Sequence, residues 1–277
     1  MIKFSREKEK AIIELYKQGK NQKEIGLIFN TFNTSIRRVL IRNNVLLRGN
    51  DKIQRLCKHN PFKKNDEYSE YFLGLLLTDG CISSNATKSS KSINLSLSEI
   101  DGYMVEKFRD WVSPNSKVSK VLQKRNNSYM YSFNFTNIEA EEWLNRKGNF
   151  KDKSYKCKIY TPLTWNILRG ILDGDGGFHP NCGHLDFFIC GKSKVFLEQI
   201  KRFLEKQGFH PHLRERNNGQ GNNLFYLEIY KIEEVLKLGE YMYSNARIFI
   251  KRKYEKWLAF YESRRAYTLN SRKEMAI

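Results

Sequence analysis

The 277-residue chain has no long apolar run. Its longest such stretch, around Tyr71 to Leu77, is far too short for a bilayer-spanning helix, which argues against a membrane-embedded protein. The first residues, with Lys3, Arg6, Glu7, Lys8, Glu9 and Lys10, lack the apolar core of a secretion signal. Cysteine is scarce and unpatterned. Cys57, Cys81, Cys157, Cys182 and Cys190 make no CxxC pair and no framework spacing, and their number is odd. That argues against a disulfide-stapled secreted module and leads us to expect reduced thiols in an intracellular protein. Negative charge is also short, with 30 Asp+Glu against 49 Lys+Arg and a net charge of +19. Such a chain repels itself unless a polyanion is its partner. Nucleic acid is the first candidate; a membrane surface is the weaker one, because no amphipathic anchor is evident.

What is present divides into a small head and a larger body. Arg6 to Lys17 carries Ala11, Ile12, Leu15 and Tyr16 at helical spacing, and Gly19 closes the run. Asn21 with Glu24 reads as a capping box opening a second helix with Ile25, Ile28 and Phe29 inside. A third helix starts at Asn33 or Thr34 and places Ile36, Val39 and Leu40 on one face. The second and third helices around a tight turn resemble a helix-turn-helix over residues 1–49. Thr34 and Ser35 would then aim at base edges, and Arg37, Arg38 and Arg42 mostly at phosphates. Residues 50–66 are polar, basic and aperiodic, and read as a linker.

Beyond the linker the chain repeats itself, with a first copy over 67–160 and a second over 161–277. Phe72-Leu73-Gly74-Leu75-Leu76-Leu77-Thr78-Asp79-Gly80 is echoed by Leu168-Arg169-Gly170-Ile171-Leu172-Asp173-Gly174-Asp175-Gly176. After the first run come an alternating strand at Ile93–Leu97, a helix from Gly102 to Val112 and a strand near Val118–Leu122. A strand from Tyr129 to Phe135 and a helix from Asn137 to Leu144 complete that copy. The second run is followed by a strand at Leu185–Cys190, a helix at Val195–Gln207 and strands at His210–Glu215 and Leu224–Tyr230, then a helix at Ile232–Tyr243. Hairpins outnumber crossovers, so the expected class is α+β with antiparallel sheets. His179, Cys182, His184 and Cys190 lie close together, but their spacing matches no common zinc module. Pro180, Asn181 and Gly183 read as a turn there, so an ordinary loop is expected.

Each nine-residue run is an apolar helix ending in Asp-Gly, with Gly80 and Gly176 suited to a left-handed position past the helix end. Small residues four apart (Gly74 with Thr78, Gly170 with Gly174) let two helix backbones approach closely. Packed together, the two runs would bring Asp79 and Asp175 to one point. A carboxylate at a helix C-terminus opposes the macrodipole, and two adjacent carboxylates repel. A divalent cation reverses both penalties, and oxygen-only ligation fits Mg²⁺. Beside a DNA phosphate, such a site reads as metal-assisted phosphodiester hydrolysis.

Both runs resemble the LAGLIDADG motif of homing endonucleases, and the elements after them resemble that family's αββαββα unit. The resemblance implies a duplicated, pseudo-dimeric saddle in a single-chain monomer, with the two motif helices at the central interface. It further implies a metal-dependent, staggered double-strand break in double-stranded DNA, with Asp79 and Asp175 as catalytic metal ligands. Mobility of the coding element would follow. The basic residues that the family places near the scissile phosphates are carried onto Lys251, Lys253 and Lys156. Leu77 departs from the motif's earlier acid, which Asp173 keeps, and Arg169 replaces a small residue on what should be an outward face. DNA contacts are expected from the solvent side of the strands: Asn94, Ser96, Ser98, Ser132, Asn134, Arg214 and Arg216. Alternatives from the same residues are an intron RNA maturase and a non-cleaving DNA-binding regulator; retention of both acids disfavours the regulator.

Overall fold

The computed structural model describes residues 4–18, 20–45, 59–83, 92–114, 116–123, 127–181, 183–217 and 223–274. They form two compact units, Met1–Gln54 and Arg55–Ile277. No helix among the described residues is long and apolar enough to cross a membrane.

The first unit is built from α1 (Arg6–Lys17), α2 (Gln22–Ile28) and α3 (Asn33–Arg42). The capping box forms as expected: Asn21 accepts from the Glu24 amide at 2.9 Å, and Glu24 accepts from the Asn21 amide at 2.8 Å. Ile12, Tyr16, Ile25, Ile36, Val39 and Leu40 make a small core, which is the face that the helical spacing marks. Ile28, expected inside, is 54% exposed. Gly19 lies outside the described residues.

In the second unit, α4 (Glu67–Asp79) leads into β1 (Gly80–Ser83), β2 (Ser92–Ser98), α5 (Gly102–Val112), β3 (Ser119–Gln123), β4 (Ser128–Phe135) and α6 (Ile138–Lys147). A one-turn helix, α7 (Lys153–Lys156), precedes the second copy. There α8 (Trp165–Asp175) leads into β5 (Gly176–Asn181), β6 (His184–Gly191), α9 (Lys194–Lys206), β7 (His212–Asn217), β8 (Asn223–Ile229) and α10 (Ile232–Tyr243), and α11 (Lys251–Glu274) follows. Each copy folds a four-stranded antiparallel sheet, in the orders β1-β2-β4-β3 and β5-β6-β8-β7. Alternation sets the faces: Ile93, Leu95 and Leu97 point to a core that continues through both copies, as do Leu185, Phe187 and Ile189. The α+β class and the duplicated αββαββα order thus hold.

Four expectations change. Residues 50–58 lie outside the described residues, but 59–66 belong to the body. Pro61–Lys64 forms a 3₁₀ turn that buries Phe62 between Trp111 and Trp143, at ring distances of 5.0 and 5.1 Å. Burial of one such ring, worth about 2–3 kcal/mol, outweighs the polar composition around it. Arg169 does not face outward. It is 2% exposed and donates to the carbonyls of Ile248 (2.9 Å) and Met242 (2.6 Å) and to Glu67 (2.6 Å). A guanidinium carries five donors, so a pocket of oxygens takes it without an orphan charge.

The segment around His179 is a hairpin rather than a loop. His179 pairs with Asp186 and Asn181 with His184 across β5 and β6, while Cys182 lies outside the described residues. Finally, Gly80 and Gly176 are extended, at φ −81° and −131°, and open β1 and β5 instead of capping in the left-handed region. Glycine is needed there for space: a Cβ at Gly80 would sit 2.6 Å from the Leu76 backbone, and one at Gly176 2.6 Å from the Phe188 carbonyl.

Candidate active site

The site begins with how closely α4 and α8 approach. A Cβ added at Gly74 would overlap the Ile167 carbonyl, and one at Gly170 would overlap the Tyr71 carbonyl. Backbone meets backbone because these two positions have no side chain. At the lower end, a Cβ on Gly174 would run into Thr78 and come within 2.7 Å of Asp79 Oδ2. The last residues of the two helices, Asp79 and Asp175, therefore stand side by side at the mouth of the interface, Asp79 half-buried and Asp175 more open.

Their electrostatics follow from that position. Burial, then the neighbouring Asp175 charge, pushes the Asp79 carboxyl up to about 6, against the pull of Lys153 and Lys253. Burial also raises Asp175, again opposed by Lys153 and Lys253. The pair costs free energy when both acids are ionised, and added positive charge relieves that cost.

Two lysines hold the helix ends. Lys253 Nζ donates to the carbonyls of Leu172 (2.8 Å), Asp173 (2.6 Å) and Gly176 (2.7 Å), closing the C-terminus of α8. Lys153 Nζ does the same for α4, donating to the carbonyls of Leu76 (3.3 Å) and Thr78. The Leu172 and Leu76 carbonyls already accept from the Gly176 and Gly80 amides; each ammonium adds a donor to the carbonyls of the last turn and offsets the negative end of the macrodipole. Burial lowers both lysines from the usual range.

The other basic residues carried from the sequence have different partners. Lys156 is exposed and pairs with Asp152 at 3.5 Å, while its helix neighbour Lys153 is the one that reaches the end of α4. Lys251 is exposed, with its backbone amide on the Tyr103 hydroxyl at 2.7 Å. Lys153 carries no local signal that separates it from Lys156 and Lys158, because the selection is made by α4, distant in sequence. Asp173, the earlier motif acid, is buried beneath the site, where it accepts from the Tyr71 hydroxyl and the Ile250 amide, each at 2.7 Å.

The expected DNA-facing residues divide by sheet. Asn94, Ser96, Ser98, Ser132 and Asn134 lie on the face of the first sheet opposite the core, and Arg214 and Arg216 on the corresponding face of the second. In the head, Thr34, Arg37, Arg38 and Arg42 are exposed and Ser35 is half-buried, while Arg42 pairs with Glu9.

Residues 165–243 match the LAGLIDADG-like domain family. The match begins with α8 and ends with α10, so it spans the second copy from its motif helix to its last shared helix. No curated protein matches the chain by sequence. Among solved structures, mesophilic variants of the homing endonuclease I-DmoI are similar at 16% identity and a TM-score of 0.45, over 68% of this chain and 99% of theirs. The homing endonuclease I-WcaI bound to its DNA recognition sequence is similar at 14% identity and a TM-score of 0.49, over 70% and 90%. The meganuclease I-SmaMI bound to uncleavable DNA is similar at 10% identity and a TM-score of 0.46, over 70% and 90%.

Proposed function

We propose that this chain is a site-specific DNA endonuclease that acts as a single-chain monomer on double-stranded DNA and makes a metal-dependent, staggered double-strand break, promoting mobility of its own coding element. The observation that carries this reading is the pairing of Asp79 and Asp175 at the joined ends of α4 and α8, with Lys153 and Lys253 behind them. Among the described residues no group of three or more His, Cys, Asp and Glu side chains could hold a metal ion. Two carboxylates with waters and substrate phosphates are the donor set that Mg²⁺ commonly takes, so the residues fit that ion. A divalent cation there would supply the positive charge that polarises a phosphate and favours ionised water at neutral pH.

The chain's own residues do the rest. Asp79 and Asp175 hold negative oxygens at one point, and the close glycine contacts fix their separation. Lys153 and Lys253 keep the helix ends from repelling the acids and add positive potential where a phosphodiester would enter. The outward sheet faces and the basic head supply the contact surface for a polyanion, consistent with the net charge of +19.

The test is cleavage of a randomised duplex library with Mg²⁺ by wild type, Asp79→Asn and Asp175→Asn. The expected result is metal-dependent double-strand cuts at a recurrent site, lost in both variants. A wild type that binds DNA but leaves every duplex intact under Mg²⁺ overturns the nuclease reading.

A further inference from the structure

The outward faces of the two sheets carry different chemistry. On the first, short neutral groups bond one another: Asn94 Nδ2 donates to Ser132 Oγ at 2.8 Å, and Ser96 Oγ lies 2.8 Å from both Asn94 Oδ1 and Ser132 Oγ. On the second, β7 and β8 place Arg214 and Arg216 around one carboxylate, Glu228, whose side chain is only 10% exposed while theirs are 58% and 59% exposed. Arg216 Nη2 is 3.4 Å and Arg214 Nε 3.9 Å from that carboxylate, and the Tyr230 hydroxyl donates to it at 2.5 Å. Ring faces flank the same guanidiniums, with Arg216 4.5 Å from the Tyr226 centroid and Arg214 5.3 Å from that of Tyr230. Burial, then the bond to Glu228, pushes the Tyr230 hydroxyl up to about 12, so it remains a donor. These groups line an open hollow of about 630 Å³.

A sunken carboxylate is out of place on a surface that serves only to attract phosphate. It repels the backbone and cancels part of the charge of the two arginines beside it. What it adds is geometry. Arg216 is hydrogen-bonded to the carboxylate and Arg214 ion-paired with it, and each lies over a ring face, so both exposed guanidiniums have less rotamer freedom to lose on binding. A planar, pre-set pair of donors matches O6 and N7 of guanine in the major groove. Backbone contacts need no such constraint, because a phosphate accepts from many directions.

We propose that Arg214 and Arg216 read guanines in one half of the DNA target, and that Glu228 is the positioning residue that sets their geometry. This rests on the DNA-cleaving reading above. The half of the target facing the first sheet is then read through neutral amide and hydroxyl groups, and guanine preference concentrates in the other half.

Selection by binding tests this without relying on cleavage. Full-length wild type, Glu228→Gln, Tyr230→Phe, Arg214→Ala and Arg216→Ala would each select from a randomised duplex pool without added Mg²⁺. The wild-type site should contain guanines in one half, and each arginine variant should lose preference at its own guanine by about ten-fold or more. Glu228→Gln should relax those same positions while the other half stays unchanged, and its binding to a scrambled duplex should hold or tighten because a negative charge has gone. Tyr230→Phe, which keeps the carboxylate and removes only its donor, should shift the same positions in the same direction. Preference lost evenly along the site would mark a merely structural role and overturn the proposal. So would uniform weakening by the arginine variants with a salt slope shallower by about 1, the signature of phosphate contacts. A wild type that selects no sequence overturns it as well, whereas one that selects a site and never cuts overturns the nuclease reading alone.

Discussion

At Asp79 the proposed role and stability oppose each other at a single residue. Its folded pKa, about 6, lies above the ordinary 3.8. Between those values the native state holds more of the proton than the unfolded chain does. Its contribution to stability therefore falls as pH rises through that window and stays reduced above it. Asp79→Asn should make the metal-free protein more stable at pH 7, by roughly 1–2 kcal/mol after solvent screening, while removing cleavage. Urea titrations with EDTA at pH 4.5 and 7 would check this: the gain should appear at pH 7 and shrink at pH 4.5. At the same scale, Lys253→Met and Lys153→Met should each cost about 1–3 kcal/mol, because buried carbonyls lose their donor. Lys156→Ala and Lys251→Ala, on exposed side chains, should stay within about 0.5 kcal/mol. Equal losses at Lys153 and Lys156 would refute the assignment of Lys153 to the helix end.

Among elements, the contact of α4 with α8 governs the site. A Cβ at Gly170 meets the Tyr71 carbonyl and lies 2.8 Å from the Leu75 amide nitrogen, so the helices must separate to admit it. Gly170→Ala should destabilise the body by about 1–3 kcal/mol, more if the backbone cannot shift, and should lower cleavage through the altered separation of the two acids. Gly191, at the end of β6, is the control, because a Cβ there would meet nothing within 4 Å. Gly191→Ala should be neutral within about 0.5 kcal/mol. Melting curves and cleavage rates on the two variants decide the matter, and equal tolerance at both positions would mean the helix contact is looser than described.

Across the whole molecule, charge and duplication are the governing facts. The net charge of +19 is spread over two units, and the head contributes Arg37 and Arg38 on the exposed side of α3. If α3 meets phosphates, the double variant Arg37→Ala/Arg38→Ala should weaken binding to all duplexes alike. Its log–log salt slope should be shallower by about 2, and the cleavage position should not move. A change in the preferred sequence would instead assign α3 to base edges. Isothermal binding at several salt concentrations separates the two results.

Local periodicity carried much of this architecture. The helices at Gly102–Val112 and Ile232–Tyr243 are legible to the residue, because each places its apolar side chains on one face and begins and ends within a few bonds of its own residues. The paired Asp-Gly runs are legible for the same reason, since a repeat is a property of the chain itself. Where two segments distant in sequence meet, the pattern was silent or misleading. Phe62 sits in basic, aperiodic surroundings and is buried because Trp111 and Trp143 flank it. Arg169 is buried because Met242, Ile248 and Glu67 offer it oxygens. Gly80 is required by the Leu76 backbone and Gly176 by the Phe188 carbonyl, not by their own dihedral angles. Lys153 rather than Lys156 reaches the end of α4, since one turn of helix decides which ammonium points inward. The repeat, the two acids and the excess of positive charge are thus written in the order of residues alone. Which lysines, arginines and glycines serve them is settled by tertiary contacts, because those roles join groups whose separation along the chain leaves no periodic trace.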